Sequence, residues 1–206
     1  MINIYNQDCM AAMRKMKDNK FDLAVVDPPY GLKRLQKGSL RLGGVKGNYA
    51  NKLSWDIKPK DIFFKELIRV SKNQIIWGAN NFILPPTEYF CIWNKKQTVD
   101  NFATAEYAWV SMGLKKPAKI FEYSIHKHNH TNKIHPTQKP VKLYEWLLMN
   151  YTKEGDTILD THLGSGSIAI ACHNLGYDLT GYEIDKEYFE AAKKRIKEHQ
   201  SQLRIL

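Results

Sequence analysis

An acid, two prolines and an aromatic stand in succession at Asp27-Pro28-Pro29-Tyr30. They follow an apolar run, Phe21-Asp22-Leu23-Ala24-Val25-Val26, that reads as a buried strand. The tetrapeptide can neither form helix nor continue a central ladder, because proline fixes φ and has no N–H to donate. It can form a rigid, unpaired corner that presents backbone carbonyls, a carboxylate and a flat ring. Hydrogen-bond acceptors beside a stacking platform suit a planar group bearing an amine. Taken alone, the same four residues also suit an ordinary strand-ending turn.

A second constellation lies toward the C-terminus. Thr157-Ile158-Leu159-Asp160 leads into Thr161-His162-Leu163-Gly164-Ser165-Gly166-Ser167, a strand, a glycine-rich turn and the start of a helix. Glycines let backbone approach a ligand closely, and a helix start points free N–H groups at it. About twenty residues beyond Asp160, as in nucleotide-binding folds, a further strand ends at Glu183-Ile184-Asp185, where an acid can accept hydrogen bonds from ribose hydroxyls. No Gly-Lys-Ser/Thr follows the turn, which argues against a phosphate-binding loop. His126, His128 and His130 alternate and would share one face of a strand, but no cysteine or carboxylate joins them nearby, so no metal is expected.

The elements that must position these groups alternate. Strand patterns are read at residues 2–5, 21–26, 74–77, 89–93, 106–112, 157–160 and 179–183. Helical patterns are read at 9–16, 62–70, 141–151, 167–175 and 186–200, the last capped by Asp185. Alternation of this kind implies an α/β fold with a largely parallel sheet. A chain of 206 residues can bury one good core, which implies one domain over 1–206. Two basic segments escape the pattern and read as loops. One runs from 31 to 60 and holds Lys33, Arg34, Lys37, Arg41, Lys46, Lys52, Lys58 and Lys60 against the single acid Asp56; the other runs from 115 to 133. The 31 Lys and Arg against 21 Asp and Glu favour a polyanionic partner, most often nucleic acid. The three dispersed cysteines suggest neither a disulfide framework nor a metal site, and no apolar stretch reaches membrane-spanning length, so a cytoplasmic setting is expected.

With these motifs in order along the chain, the sequence resembles the S-adenosylmethionine-dependent amino-group DNA methyltransferases, of the permuted type in which the catalytic motif comes first. Asp27-Pro28-Pro29-Tyr30 resembles the family's catalytic tetrapeptide, and Asp160 to Gly166 its cofactor loop. His135-Pro136-Thr137-Gln138-Lys139-Pro140 resembles the segment that precedes that loop, and Asn6-Gln7-Asp8-Cys9-Met10 an N-terminal cofactor contact. The stretches 75–80 and 93–96 also look familial. The loop departs from the family's frequent Asp-Pro-Phe, with His162 where an aromatic would cover the cofactor. The segment 112–134, where the family places target recognition, is short.

The resemblance implies a Rossmann-like, class I methyltransferase fold. It implies catalysis at Asp27, Pro28, Pro29 and Tyr30, with the Asp27 carboxylate and Pro28 carbonyl taking the two amine protons. It implies S-adenosylmethionine held by Asp8, Cys9, Asp27, His135, Thr137, Lys139, Asp160, His162, Leu163, Gly164, Ser165, Gly166, Glu183 and Ile184. Double-stranded DNA would be the partner, held through Lys33, Arg34, Lys37, Arg41, Lys46 and Lys52. A second copy of the chain could supply further contacts, and such proteins often accompany a restriction enzyme. Asp at the head of the tetrapeptide is usual for adenine in the family, and Ser is commoner for cytosine, so adenine N6 is the expected target and cytosine N4 the alternative. A non-catalytic DNA-binding protein that kept the fold, or a methyltransferase of RNA or small molecules, are readings of a different class.

Overall fold

The computed structural model of the chain describes residues 1–31, 56–100, 102–129 and 133–202. Among the described residues, eight strands form one sheet: β1 (Ile2–Asn6), β2 (Phe21–Val26), β3 (Ser71–Trp77), β4 (Phe90–Asn94), β5 (Ala105–Val110), β6 (Lys119–Glu122), β7 (Thr157–Asp160) and β8 (Asp178–Glu183). Their order is β1-β8-β7-β2-β3-β5-β4-β6. Every described neighbour pair is parallel except the two that β5 makes with β3 and β4. The largely parallel sheet expected from the alternation of elements is therefore present, with one reversed strand in it.

Helices cover both faces: α1 (Cys9–Met13), α2 (Asp61–Val70), α3 (Ile125–Asn129), α4 (Val141–Tyr151), α5 (Ser167–Leu175) and α6 (Lys186–Ser201). The two-residue period of β2 divides the core. Leu23 and Val25 pack with residues of α4, α5 and α6, while Ala24 and Val26 pack with residues of α1 and α2. A strand with apolar layers on both sides cannot alternate apolar and polar residues, which is why Phe21–Val26 reads as a nearly unbroken apolar run. On α2 the buried residues Phe63, Phe64, Leu67 and Val70 form one stripe at helical spacing. Asp185 caps α6, its carboxylate accepting the N–H groups of Glu187 and Tyr188 at 2.9 and 3.0 Å.

Two expectations change. The segment read as a basic loop, 115–133, contains β6 and α3. β6 is four residues at the sheet edge, paired to β4 from Cys91↔Lys119 to Asn94↔Glu122, with Ile120 exposed; a short, charged, one-sided strand leaves almost no periodicity to read. His126 and His128 lie on α3, not on a strand. His126 is exposed, whereas His128 is buried with Nε2 2.6 Å from the Gln138 carbonyl. His130 lies outside the described residues.

Candidate active site

In a parallel sheet the strands' C-terminal ends collect along one edge, and ligands bind in the crevice outside them. Here β2 runs into Asp27 and β3 into Gly78, and β7 and β8 end at Asp160 and Glu183. β5 runs the other way, so its beginning, Ala105-Glu106, arrives at the same edge; Glu106 lies opposite Trp93 of β4. A cavity of about 320 Å³ opens there, lined on one side by Asp27 to Tyr30, Asp56, Lys95, Glu106 and Lys139, and on the other by His135, Thr137, His162 to Ser165, Glu183 and Ile184.

Asp27 is held by donors on both oxygens. Tyr30 Oη donates to Oδ1 at 2.6 Å, and Lys139 Nζ donates to Oδ2. Lys139 is buried and also lies 3.2 Å from Glu106 Oε2, whose other oxygen is 2.6 Å from Lys95 Nζ. The two ammonium groups outweigh burial and hold the Glu106 carboxyl down at about 2; the carboxylates of Asp27 and Glu106 likewise outweigh burial at Lys139 and raise its affinity for a proton. Burial, then the charge of Asp27, pushes the Tyr30 phenol well above its ordinary range, so Tyr30 is a donor here.

Gly78 makes room for this arrangement. It has φ +65°, and a Cβ there would stand 2.6 Å from Tyr30 Oη and closer still to Cε1 and Cζ of the ring. The Tyr30 ring also meets Phe82 edge-on at a centroid distance of 6.1 Å. Asp56 closes the corner by accepting the Gly31 N–H at 2.9 Å on Oδ1. Its buried Oδ2 has no hydrogen-bond partner among the described residues.

The glycine turn is fastened from below and behind. Asp160 is buried, accepts the His162 N–H at 2.9 Å, and has a carboxyl pushed up to about 8, by burial first and then by the charges of Asp27 and Glu183. Glu183 takes the N–H of Gly164 on Oε2 and that of Asp185 on Oε1, both at 2.9 Å, and burial raises its carboxyl as well. Arg195 of α6 donates to the Ser165 carbonyl at 2.7 Å. His135 and His162 are neutral imidazoles, each lowered to about 4, chiefly by burial. The His135 ring stands 4.3 Å from that of Tyr188, and its Nδ1 meets Thr137 Oγ1 at 3.1 Å. His162 sets its ring edge-on to Phe63 at 5.3 Å.

Thirteen of the residues expected to bind or react thus border one cavity: Asp27, Pro28, Pro29, Tyr30, His135, Thr137, Lys139, His162, Leu163, Gly164, Ser165, Glu183 and Ile184. Asp8, Cys9, Asp160 and Gly166 do not line it. Asp8 caps α1 through the Met10 N–H at 2.9 Å, and Cys9 is buried with its thiol pushed up to about 12, by burial and then Asp8. Gly166 faces Ile196, where a Cβ would stand 2.9 Å away, so its space serves helix packing. Lys33, Arg34, Lys37, Arg41, Lys46 and Lys52 lie outside the described residues. Sequence reading missed Glu106, Lys95 and Asp56 as site residues. Asp56 left a signal as the lone acid in a run of cations, and Lys95 lay in the familial stretch 93–96; Glu106 left none.

A sheet of this order, with an acid–proline–proline–tyrosine corner and a glycine turn on one cavity at its carboxyl edge, defines the class I methyltransferase fold. The chain belongs to the DNA methylase family of S-adenosylmethionine-dependent amino methyltransferases, whose model matches residues 43–194. It is 27% identical over 240 residues to the type II methyltransferase M2.DpnII of Streptococcus pneumoniae, covering 94% of this chain and 88% of that one. Its fold is similar to that of the M1.HpyAVI complex with S-adenosylmethionine (TM-score 0.56, 23% identity, 95% of this chain and 100% of that one). It is also similar to that of the cytosine-N4-specific PvuII DNA methyltransferase (TM-score 0.61, 12% identity, 100% and 88%). The protein is a DNA methyltransferase, and no described helix is long and apolar enough to cross a membrane.

Proposed function

We propose that this enzyme transfers a methyl group from S-adenosylmethionine to the exocyclic N6 amine of an adenine turned out of duplex DNA. The observation that carries the reading is the Asp27 carboxylate, fixed by Tyr30 and Lys139 in the same cavity as the Glu183 strand end and the glycine turn.

The residues fit the cofactor. Glu183 spends one acceptor position of each oxygen on backbone N–H groups, which leaves a position on each for ribose hydroxyls. Asp27, Glu106 and Glu183 line the cavity and suit a cationic sulfonium. Gly164, Ser165, Thr137 and His135 would surround the methionine portion, with Asp160 beneath. Ile184 and His162 would supply apolar walls, and Asp8 would meet the adenine amine at the cofactor's far end. When bound, S-adenosylmethionine supplies an electrophilic methyl group, so the difficult chemistry belongs to the cofactor.

The chain's own part is to ready the amine. Its lone pair is delocalised into the base ring, which makes it a poor nucleophile. Asp27 would accept one N–H and the Pro28 carbonyl the other, favouring a pyramidal nitrogen whose lone pair is free to attack in line. Asp27 and Tyr30 already share a bond, yet a carboxylate offers about four acceptor positions. This is positioning and electrostatic stabilisation, which requires no covalent intermediate. Pro28 and Pro29 fix the corner that aims these acceptors. Turning the base out costs a few kcal/mol, and stacking on the Tyr30 ring would return about 1–3 kcal/mol. Lys33, Arg34, Lys37, Arg41, Lys46 and Lys52 would neutralise phosphates.

Asp at the head of the tetrapeptide supports adenine over cytosine. The deciding experiment is transfer from labelled S-adenosylmethionine to unmethylated duplex DNA, followed by nucleoside mass spectrometry. N6-methyladenine is expected. N4-methylcytosine would keep the mechanism and reverse the base, and absence of any methylated nucleoside would overturn the reading.

A further inference from the structure

We propose that Lys139 and Glu106 are positioning residues that hold Asp27 in its working orientation. The inference rests on the reading above, in which Asp27 accepts the amine.

Lys139 is 5% exposed, and its ammonium reaches two carboxylates, Asp27 and, at 3.2 Å, Glu106. Glu106 is shared in turn with Lys95 at 2.6 Å. Two ammonium groups and two carboxylates therefore balance within one cluster, in which Lys139 is buried and the other three are partly buried. A buried charge persists only if paired, and removing one partner is far more costly than replacing a matched pair. Lys139 stands just before α4, Glu106 at the start of β5 and Lys95 just after β4, so three separate elements bear on the corner that follows β2. The other titratable groups near this corner among the described residues include the Tyr30 phenol, Tyr144 of α4, the carboxyl of Asp160, which senses both Asp27 and Lys139, and the His135 imidazole, which senses Lys139. Among the described residues Lys139 is the cation paired with Asp27. The Lys139 ammonium also stands 5.6 Å from the centre of the Trp77 ring, a fully buried side chain that limits where it can move.

The cluster's charge balance gives a test that a purely structural role would not pass. Lys139→Met leaves two partly buried carboxylates to one cation. Lys139→Met with Glu106→Gln leaves one of each. We expect Lys139→Met to lower kcat about 100-fold, as a misplaced reacting group does, with cofactor affinity, measured by calorimetry, changed less than about threefold. The acid side of its kcat–pH profile should move to higher pH, because Glu106 loses one of the two ammonium groups that hold its carboxyl down. The double variant should recover at least about tenfold in kcat over Lys139→Met and restore the acid limb, because the matched charges return. Full activity of Lys139→Met, or a double variant no better than the single one, would overturn the inference. If Lys139→Met does not fold, Glu106→Gln and the folded, cofactor-binding double variant are compared: a kcat of the double below that of Glu106→Gln supports the inference, and an equal or higher kcat overturns it. Asp27→Asn separates the two levels. An active Asp27→Asn enzyme would remove the reading on which the inference rests, whereas an inactive one beside a fully active Lys139→Met would remove the inference alone.

Discussion

Gly78→Ala should injure stability and turnover together, through the Tyr30 ring. Gly78 has φ +65°, in the left-handed region, where a side chain costs roughly 1–2 kcal/mol. The added methyl would also stand 2.6 Å from Tyr30 Oη and nearer to the adjoining ring carbons. Tyr30 cannot simply swing aside, because Phe82 faces its ring and its hydroxyl is bound to Asp27. Overpacking of this kind costs roughly 1–3 kcal/mol. A total of about 3 kcal/mol would lower Tm by roughly 6–12 °C in a chain of this size. The displaced hydroxyl would release Asp27 Oδ1, so kcat should fall by at least about tenfold. Thermal melts and single-turnover methylation measure the two losses. The cause is isolated by adding Tyr30→Ala, which deletes the ring and leaves only backbone strain. In that background Gly78→Ala should cost about 1–3 kcal/mol less, the steric part. Strict additivity of the two substitutions, or an unchanged Tm for Gly78→Ala, would refute the argument that Gly78 exists to seat Tyr30.

Other perturbations test separate parts of the site. Tyr30→Phe keeps the ring and removes a hydrogen bond to a charged acceptor, so kcat should fall roughly tenfold with cofactor affinity unchanged; a rise in kcat would mean that the hydroxyl competes with the amine for Asp27. Glu183→Gln turns an amide N–H₂ toward a backbone N–H of Gly164 or Asp185, so cofactor affinity should drop at least about tenfold and stability by about 1–3 kcal/mol; calorimetry showing unaltered binding would remove Glu183 from the cofactor site. Asp160 is raised from 3.8 to about 8, so its contribution to stability is complete below pH 3.8 and lost as pH rises through 8; the Tm of Asp160→Asn relative to the wild type should therefore rise between pH 4 and 8, and a pH-independent difference would contradict it. His128, His135 and His162 are lowered from 6.5 to about 4, so the stability they hold is present above pH 6.5 and lost as pH falls to 4; chemical denaturation across that window should show net proton uptake on unfolding.

The parts of this molecule that were legible in the sequence are those whose cause is local. The β2 run, the α4 and α5 patterns and the Asp185 cap follow from periodicity and capping over a few residues, and their bounds came through with little change. The two motifs were legible because prolines and glycines mark unusual backbone. Glu106 was not, because nothing near it in sequence distinguishes it from any acid at a strand start. Nor was the task of Lys139, read from its motif as a cofactor contact, since the ammonium finds Asp27 and Glu106 only after three elements have packed. β6 was lost for a different reason: its pairing with β4 is real, but one exposed edge and two charged residues in four erase the pattern.

The reversed strand explains why the hidden residues matter. In a wholly parallel sheet, the beginning of β5 would lie at the amino edge, remote from Asp27. Running antiparallel between β3 and β4, it delivers Glu106 to the carboxyl edge beside Lys95, which follows β4. The same reversal sets the Tyr107 carbonyl to accept the Gly78 N–H at 2.9 Å, which fixes the turn that receives the Tyr30 ring. Both supports of Asp27, the hydroxyl seated on Gly78 and the ammonium shared with Glu106, thus depend on the direction of one strand. A substitution that shifted the β3–β5 register by one residue would turn Trp109 to the opposite packed face and remove Glu106 from the cluster at once. Loss of activity there should accompany loss of the ion pair even when the cofactor turn between β7 and α5 remains intact.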